Sequence, residues 1–489
     1  MRPSLSQILR FAVPLSALLA AACAPLPAAG PRPTPRAPES VAAGQSLPAQ
    51  PGAAWPGDLW WQRLGDAQLD ALIVEGVRNS PDVAAAAARF RRAGGMAQEA
   101  RGATLPSLDV EGQAGAQKQS LNQGFPDEFK DILPHGWKET GQVAASLNFD
   151  LDFWGRNQAA LAAATSEERA AAIDARQARL MLASAIATAY VDLQRLYEQR
   201  DVRQGELDVR LASQRLVAQR RANGLENRGS ERQADAAVAT ARTALAGLDG
   251  QIGVRRNQLA ALLGAGPDRG LAIVRPALPT PAARGLPEGV TTDLVGRRPD
   301  VAAARERVEA AASRIKVARA DFFPAIRVSA LFGLQSIGLD SLFQSDSTYG
   351  RVGPAISLPV FHGGALQGRY RGARAVYDEA VAVYDKAVVS AYQDVADAVT
   401  NQRAVTRQLA EARLALAAAE DAYTVARQRY EGGLSNYLEA LVVEDRLLQA
   451  RLAVAGLNAD LRTIDIALIR ALGGGFDAGG PIPKDDTDG

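Results

Sequence analysis

The sequence Pro-Asp-Val-Ala-Ala-Ala occurs twice in this chain, at residues 81–86 and again at residues 299–304. The match continues without a gap, so that Arg89 corresponds to Arg307 and Pro106 corresponds to Pro324. Each copy begins as a helical stretch, reaches a proline and continues as an alternating stretch. A repeat of this size indicates a duplicated structural unit. We therefore expect two equivalent halves of one architecture.

The alternating stretches predict a pair of β-strands in each half. Residues 107–117 and 142–153 in the first half, and 325–336 and 349–361 in the second, alternate between apolar and polar side chains. Alternation with a period of two is typical of strands with one apolar and one polar face. The polar face of the strand at 142–153 carries Gln142, Asn148, Asp150 and Asp152.

Two long helical stretches without proline follow the strands, at 156–222 and 364–431. At 1.5 Å per residue, each would be about 100 Å long if continuous. Each reaches a glycine-containing break, after which a shorter helix runs back. Leucines at alternating spacings of three and four indicate coiled-coil-like seams. Asp445 lies on one such seam, where a carboxylate needs a partner or water.

The N-terminus has the pattern of a secretory signal peptide at residues 1–22. Small residues directly before Cys23, the only cysteine, resemble a bacterial lipobox, although Ala20 stands where leucine is usual. We expect Cys23 to carry lipid; the alternative is an ordinary cleavage site with a chance cysteine. Ala24 follows, where an aspartate would resemble an inner-membrane retention signal, and this favours the outer membrane. Residues 23–56 are rich in proline, alanine and glycine and predict a flexible tether.

Composition excludes several classes of function. The 55 basic and 54 acidic residues leave a net charge of +1, so there is no electrostatic case for nucleic acid. Two histidines, His135 and His362, and one cysteine make a histidine-based metal site or a Cys-His dyad nearly impossible. The sequence offers no nucleophile–base set and no glycine-rich phosphate loop. We therefore expect no enzyme activity and no cofactor.

The strands themselves argue for assembly. Four strands cannot stand alone in lipid, because the open edges of a sheet leave backbone groups unsatisfied. Four are also too few to close a barrel around a channel, so oligomerisation is the economical solution. The alternative is the face of a soluble β-sandwich, which would not explain the export signal, the lipobox and the long helices together.

Seven short motifs occur in order over roughly residues 58–475: Trp60-Trp61, Leu151-Asp152-Phe153-Trp154-Gly155-Arg156, Arg298-Pro299-Asp300-Val301, Phe323-Pro324, Leu358-Pro359-Val360-Phe361, Arg429-Tyr430-Glu431-Gly432-Gly433 and Ala471-Leu472-Gly473-Gly474. Together they resemble the outer membrane factor (TolC-like) family, in particular its NodT-type efflux lipoproteins. The resemblance implies an α+β membrane protein with an internal duplication. Three chains would share a twelve-stranded β-barrel in the outer membrane and a long α-helical coiled-coil barrel in the periplasm.

The same resemblance implies a function. The homotrimer would be the passive exit duct of a tripartite efflux system for small toxic compounds or drugs, and would contribute to multidrug resistance. Its partners would be a periplasmic adaptor (membrane fusion protein) and an inner-membrane pump, commonly of the resistance-nodulation-division type. Cys23 would carry diacylglycerol and an acyl group such as palmitate, and no cofactor is implied.

Residue roles follow from the family pattern. The adaptor-docking tips would be Gly224, Leu225, Glu226, Asn227, Gly432, Gly433, Leu434 and Ser435. The periplasmic gate would include Leu438, which would narrow the pore. Relatives often carry an aspartate where this chain has Val442, so we expect other charges to substitute: Glu439, Glu444, Asp445 and Arg446. Asp445 is the first choice, and the alternative is that these charges are ordinary solvated helix surface.

Two other functions remain open from the sequence. The chain could be a lipid-anchored periplasmic coiled-coil adaptor or scaffold without a pore, but such a protein would have one helical hairpin rather than two. It could also be the outer membrane duct of a secretion system. The expected division of the chain is a signal peptide (1–22), a tether (23–56), a first repeat (57–270), a linker (271–290), a second repeat (291–473) and a disordered tail (474–489).

Overall fold

The chain divides into two compact units that each combine segments from both repeats. A computed structural model describes residues 26–28, 30–50, 53–121, 126–279 and 285–478. The first unit comprises Met1–Thr34, Arg91–Arg169 and Glu306–Ala382, and the second comprises Pro35–Phe90, Ala170–Arg305 and Val383–Gly489. The predicted signal peptide and Cys23 lie outside the described residues.

Both halves have the same order of elements. The first half contains α1 (Ala67–Asn79), α2 (Pro81–Gly102), β1 (Ser107–Lys118), β2 (Trp137–Leu151), α3 (Arg156–Ala222), α4 (Arg228–Leu262) and α5 (Pro267–Leu271). The second half contains α6 (Val290–Arg297), α7 (Pro299–Ala320), β3 (Ala325–Ile337), β4 (Thr348–Ser357), α8 (Ala365–Glu431) and α9 (Tyr437–Ala471). The long helices α3 and α8 each have 67 residues, and the returning helices α4 and α9 each have 35. The two helical hairpins are therefore equal in length.

The strands form one antiparallel sheet, in the order β1-β2-β3-β4 within the described chain. Its register places Gln142 directly between Gln113 and Gln335 on one face. On the other face, Ala145 lies between Val110 and Phe332. The sheet thus has one polar and one apolar face, and β1 and β4 are its edges.

Two strands end earlier than predicted. β2 ends at Leu151, so Asp152 is not part of it; the Asp152 carboxylate instead accepts a hydrogen bond from the Gln158 backbone N–H at 2.8 Å, in the first turn of α3. β4 ends at Ser357 rather than 361. Pro359 lacks the N–H that a further pair of the ladder would need. Asp152 and Pro359 therefore lie at the two junctions between a strand and the long helix that follows it.

The second unit contains an extended apolar core. Trp60, Leu69, Ile73, Ile186, Tyr190, Leu193, Leu259, Leu263 and Ile469 are all at most 2% exposed within it. The predicted seam of α3 contributes through Ile186 and Leu193. Asp66 caps α1 by accepting hydrogen bonds from the N–H groups of Gln68 and Leu69. It also accepts one from the Tyr190 hydroxyl at 2.9 Å, which ties the start of α1 to α3.

The end of each returning helix contacts the start of the repeated sequence in its own half. Gly264 and Gly473 both follow a Leu and both have positive φ, +70° and +89°. A Cβ on Gly264 would overlap the backbone oxygen of Asn79, and a Cβ on Gly473 would overlap that of Arg297. Only glycine combines this backbone conformation with this close approach. The duplication thus repeats a specific contact.

Arg298 strengthens this contact in the second half alone. Its guanidinium donates hydrogen bonds to Asp300 at 2.9 and 2.6 Å, to Asp394 of α8 at 2.9 Å and to the Ala471 carbonyl at 3.1 Å. The side chain is 9% exposed. Arg298 therefore joins the start of α7, the middle of α8 and the end of α9. The corresponding residue of the first half is Ser80.

Two segments predicted to be loose are packed where the structure describes them. In the predicted tether, Leu47 is 2% exposed, and the Gln50 N–H donates to the Leu286 carbonyl at 2.9 Å. In the predicted tail, Phe476 is 8% exposed, and the Ala478 N–H donates to the Gly296 carbonyl at 3.2 Å. The described parts of these two segments therefore each contribute a buried apolar side chain and a backbone hydrogen bond to the fold.

Among the described residues, no helix has the combined length and apolarity required to span a membrane.

The contact between Gly473 and Arg297 predicts that adding one methyl group at Gly473 strongly lowers the stability of the protein. Gly473→Ala should lower the free energy of unfolding by roughly 3 kcal/mol, because it adds backbone strain and a steric overlap with Arg297. The measurement is the thermal loss of helical circular dichroism of the detergent-purified protein. Gly205→Ala is the matched control: this α3 position is exposed with open space around a Cβ, and alanine should raise stability by up to about 1 kcal/mol. Equal stability of both variants would contradict the contact.

Candidate functional site

The two hairpin tips have the same local structure. At each tip a glycine with positive φ ends the long helix, Gly224 at +74° and Gly433 at +75°. The next residue, Leu225 or Leu434, donates its N–H back into the last turn over 2.8 Å. This is the Schellman termination, which satisfies the last carbonyls of a helix. The predicted Gly432 precedes this glycine in the second tip, and its N–H still donates to the Gln428 carbonyl.

An asparagine starts the returning helix at each tip. Asn227 accepts a hydrogen bond from the Ser230 N–H at 3.0 Å, and Asn436 accepts one from the Glu439 N–H at 2.9 Å. These N-caps complete a turn of fixed length. The leucines between glycine and asparagine project outward, with Leu225 65% and Leu434 74% exposed. Each tip therefore presents one apolar side chain on a rigid turn.

The tips differ in their charged residues, because Glu226 and Arg228 of the first tip stand where the second has Ser435 and Tyr437. Glu226 of the first tip lies 3.9 Å from Arg220 Nε and accepts a hydrogen bond from the Tyr430 hydroxyl at 3.4 Å. The Arg220 guanidinium also lies over the Tyr430 ring, 5.1 Å from its centroid. Burial raises the pKa of Tyr430 to about 12. Ser435 occupies the place of Glu226 in the second tip, so this carboxylate contact with the neighbouring hairpin comes from the first tip.

A charged cluster lies between α3 and α9, above the tips. Arg210 of α3 is 3% exposed; its Nε lies 3.2 Å from Glu444 Oε1, and its terminal NH2 group contacts Asp445. Glu206, one turn earlier on α3, lies 3.7 Å from the same guanidinium. The predicted Glu444 and Asp445 are therefore brought together with an arginine. The structure provides the partner that an acidic residue on an apolar seam requires.

Arg210 was not predicted as a site residue, although a signal for it exists. Leu207, Arg210, Gln214 and Val217 follow one another at spacings of three, four and three along α3. Arginine at such a position is buried by the seam, just as Asp445 marks the seam of α9. The two signals become one site only when the hairpins lie side by side.

The other predicted gate residues lie outside this cluster. Glu439 pairs with Arg429 at 3.5 Å, close to the second tip. Arg446 is exposed. Leu438 is 51% and Val442 43% exposed, on the first turns of α9. The cluster therefore contains two of the five predicted gate residues.

The polar face of the sheet carries three of the four predicted lumen residues. The Gln142 amide donates to the Tyr349 hydroxyl at 2.5 Å. Tyr349 is paired with Gly333, which lies opposite Ala144 of β2. Asp150 pairs with Arg327 at 2.7 Å, and Asn148 lies directly opposite Ser329. The polar side chains of neighbouring strands are thus bonded to one another.

Comparison with known proteins now identifies the architecture. The family model described as "Outer membrane efflux protein" matches residues 72–265 and 291–474, which cover both repeats. The chain belongs to the outer membrane efflux protein family. It is therefore an outer membrane channel protein of the efflux class, and the predicted fold class and localisation in the outer membrane are confirmed.

Curated relatives support this assignment. The multidrug resistance outer membrane protein MdtP of Escherichia coli (strain K12) is 29% identical over 444 residues, covering 88% of this chain and 89% of MdtP. The pyoverdine export outer membrane protein OpmQ of Pseudomonas putida is 30% identical, covering 89% and 92%. The fusaric acid resistance protein FusA of Burkholderia cepacia is 33% identical, covering 76% and 70%.

Solved structures have the same fold. The outer membrane protein VceC from Vibrio cholerae is 40% identical with a TM-score of 0.82, covering 86% of this chain and 100% of VceC. The outer-membrane channel OprN is 26% identical with a TM-score of 0.82, covering 92% and 99%. Long paired helices with a small set of strands are thus the fold of this efflux protein.

The cluster predicts the effect of one acidic side chain. Asp445→Ala should increase the conductance of the purified protein in a planar bilayer, because Arg210 loses one of its links across to α9. A half-exposed pair contributes about 0.5 to 1 kcal/mol, equivalent to a roughly two- to fivefold rise in the ratio of open to closed tips. The control is Asp460→Ala, an exposed aspartate on the same helix. Unchanged conductance of Asp445→Ala would remove Asp445 from the gate.

Proposed function

We propose that three copies of this chain form a continuous passive duct through which small toxic compounds leave the cell. The observation that carries the proposal is the combination of an exposed apolar sheet face with two open edges. Leu108, Val110, Phe332, Val352 and Ile356 are between 63% and 79% exposed on that face. In lipid such a face is stable, but the unpaired edges β1 and β4 are not. Pairing β4 of one copy with β1 of the next removes the edges.

We take three copies because the resemblance to TolC-like channels implies a barrel of twelve strands, and each chain supplies four. Three chains would close a barrel of twelve strands, with Gln142, Asn148 and Asp150 toward its lumen. Side chains in such a lumen are polar, while lipid faces the apolar side. The equal lengths of the two hairpins support this arrangement, because six hairpins of one length can close a tube whose tips end at one level.

The tips would receive a periplasmic adaptor, which would connect the duct to an inner-membrane pump of the resistance-nodulation-division type. Leu225 and Leu434 are suited to enter apolar grooves between adaptor helices, since each is exposed on a rigid turn. Glu206, Arg210, Glu444 and Asp445 would hold the tips closed until the adaptor binds. The energy for transport would come from the pump, and the duct would have no enzyme activity.

The duct has a direct test. The purified full-length protein should migrate as a heat-sensitive trimer on a gel and should conduct ions in a planar bilayer. Cysteines introduced by Leu225→Cys and Leu434→Cys should cross-link to a co-expressed adaptor, whereas a cysteine at the exposed Asp460 of the same hairpin should not. A monomeric protein without conductance would instead support the periplasmic scaffold.

The lipid anchor has a separate test. Cys23 lies beyond the described residues, and its lipidation is proposed from the lipobox-like sequence alone. Cys23→Ser should abolish incorporation of radiolabelled palmitate, because Cys23 is the only cysteine and its thiol would receive the diacylglycerol. Ala24→Ser is the control and should retain the label. Label in the Cys23→Ser protein would disprove the anchor without bearing on the duct.

A further inference from the structure

The charged cluster between α3 and α9 contains more acidic than basic side chains. Glu206, Glu444 and Asp445 all approach the single guanidinium of Arg210. Arg203 compensates only Glu206, at 2.8 Å. The side chain of Asp445 is 58% exposed, whereas that of Glu444 is 10% exposed. Glu444 is therefore the acid that solvent cannot stabilise.

Neighbouring elements add few charges around Glu444. From α3 it faces Glu206 and Arg210, and from its own helix it faces Asp445 and Tyr437. From α8 it faces Tyr423, which interacts with Arg427. Arg427 in turn pairs with Glu431 at 3.2 Å. The surroundings of Glu444 are thus two phenols, two other acids and one arginine.

The contact between Glu444 and Arg210 lacks hydrogen-bond geometry. Although Glu444 Oε1 lies 3.2 Å from Arg210 Nε, no donor of the described residues satisfies this buried oxygen. A buried carboxylate without full hydrogen bonding is unstable as an anion. Burial therefore raises the pKa of Glu444 to about 7, Arg210 opposes this, and the charges of Asp445 and Glu206 raise it further.

We propose that Glu444 is a proton-operated latch: with its proton bound, α3 and α9 remain packed and the tip stays closed, whereas loss of the proton loosens the contact. The latch rests on the proposed duct, whose gate it would regulate. The proton removes one of the three negative charges around Arg210. Without it, Glu444 and Asp445 are adjacent anions, and water must enter to solvate the buried one.

The sign of the pH dependence follows from linkage. In the packed state Glu444 holds its proton up to about pH 7, whereas a hydrated glutamate loses it near its ordinary value of 4.5. The packed state therefore binds the extra proton between these values, and its stability falls as pH rises through about 7. The difference between 4.5 and about 7 corresponds to roughly a three-hundredfold change in the ratio of closed to open tips per chain.

The experiment compares conductance at different pH. Wild-type protein in planar bilayers should conduct weakly at about pH 4.5 and more strongly at about pH 8, with the rise lying between 4.5 and about 7. Glu444→Gln retains the shape of the neutral acid and should remain weakly conducting throughout. Asp460→Asn, an exposed acid on the same helix, should retain the wild-type transition. A transition that survives in Glu444→Gln, or a flat wild-type profile, would overturn the latch.

A second measurement separates the latch from the duct. Spin labels on Leu225→Cys and Leu434→Cys report the separation of the two tips without any need for conduction. Their separation should increase with pH in the wild-type background and remain short in Glu444→Gln. Absent conductance at every pH, together with this pH-dependent separation, would reject the duct and retain the latch. Conductance together with a separation independent of pH would reject the latch and retain the duct.

Discussion

The helical part of this protein depends on how each hairpin is anchored at the end opposite its tip. In both halves a glycine with positive φ presses against the carbonyl two residues before the repeated Pro-Asp, Gly264 on Asn79 and Gly473 on Arg297. Because this approach tolerates no Cβ, the helix must end at one position. The returning helix is 35 residues long in each half, so both tips end at equal distances from their anchors.

The duplication preserves the lengths and ends of the helices, but not the charged residues that they carry. The second half adds Arg298 where the first has Ser80, and the first tip has Glu226 where the second has Ser435. The charged cluster is also unsymmetric: at the positions equivalent to Arg210 and Asp445, the other half has alanines, Ala419 and Ala236. Equal backbones therefore place unequal charges side by side. The differing residues lie at the tips and in the charged cluster, where the proposed docking and gating would take place.

In the sheet, by contrast, equivalent positions of neighbouring strands carry similar side chains. Each strand presents apolar residues on one face and polar residues on the other, and the register aligns like with like, as in Gln113, Gln142 and Gln335. The polar groups pair across strands, as Asp150 does with Arg327. A sheet of this kind is suited to lipid on one side and water on the other. Its open edges, β1 and β4, are the basis of the proposed pairing between copies.

The sequence by itself determined the local structure: two repeats, four alternating strands, long helices and the turns at glycine. These follow from periodicity and from the backbone preferences of proline and glycine, which act over a few residues. It also indicated Asp445 as unusual, because this acid interrupts an apolar seam, and named Glu444 among the candidate gate charges. It could not place Arg210 beside them, end β2 before Asp152, or show that Leu47 and Phe476 are packed. Those features were decided by the tertiary structure, because burial and charge pairing depend on residues brought together from distant parts of the chain.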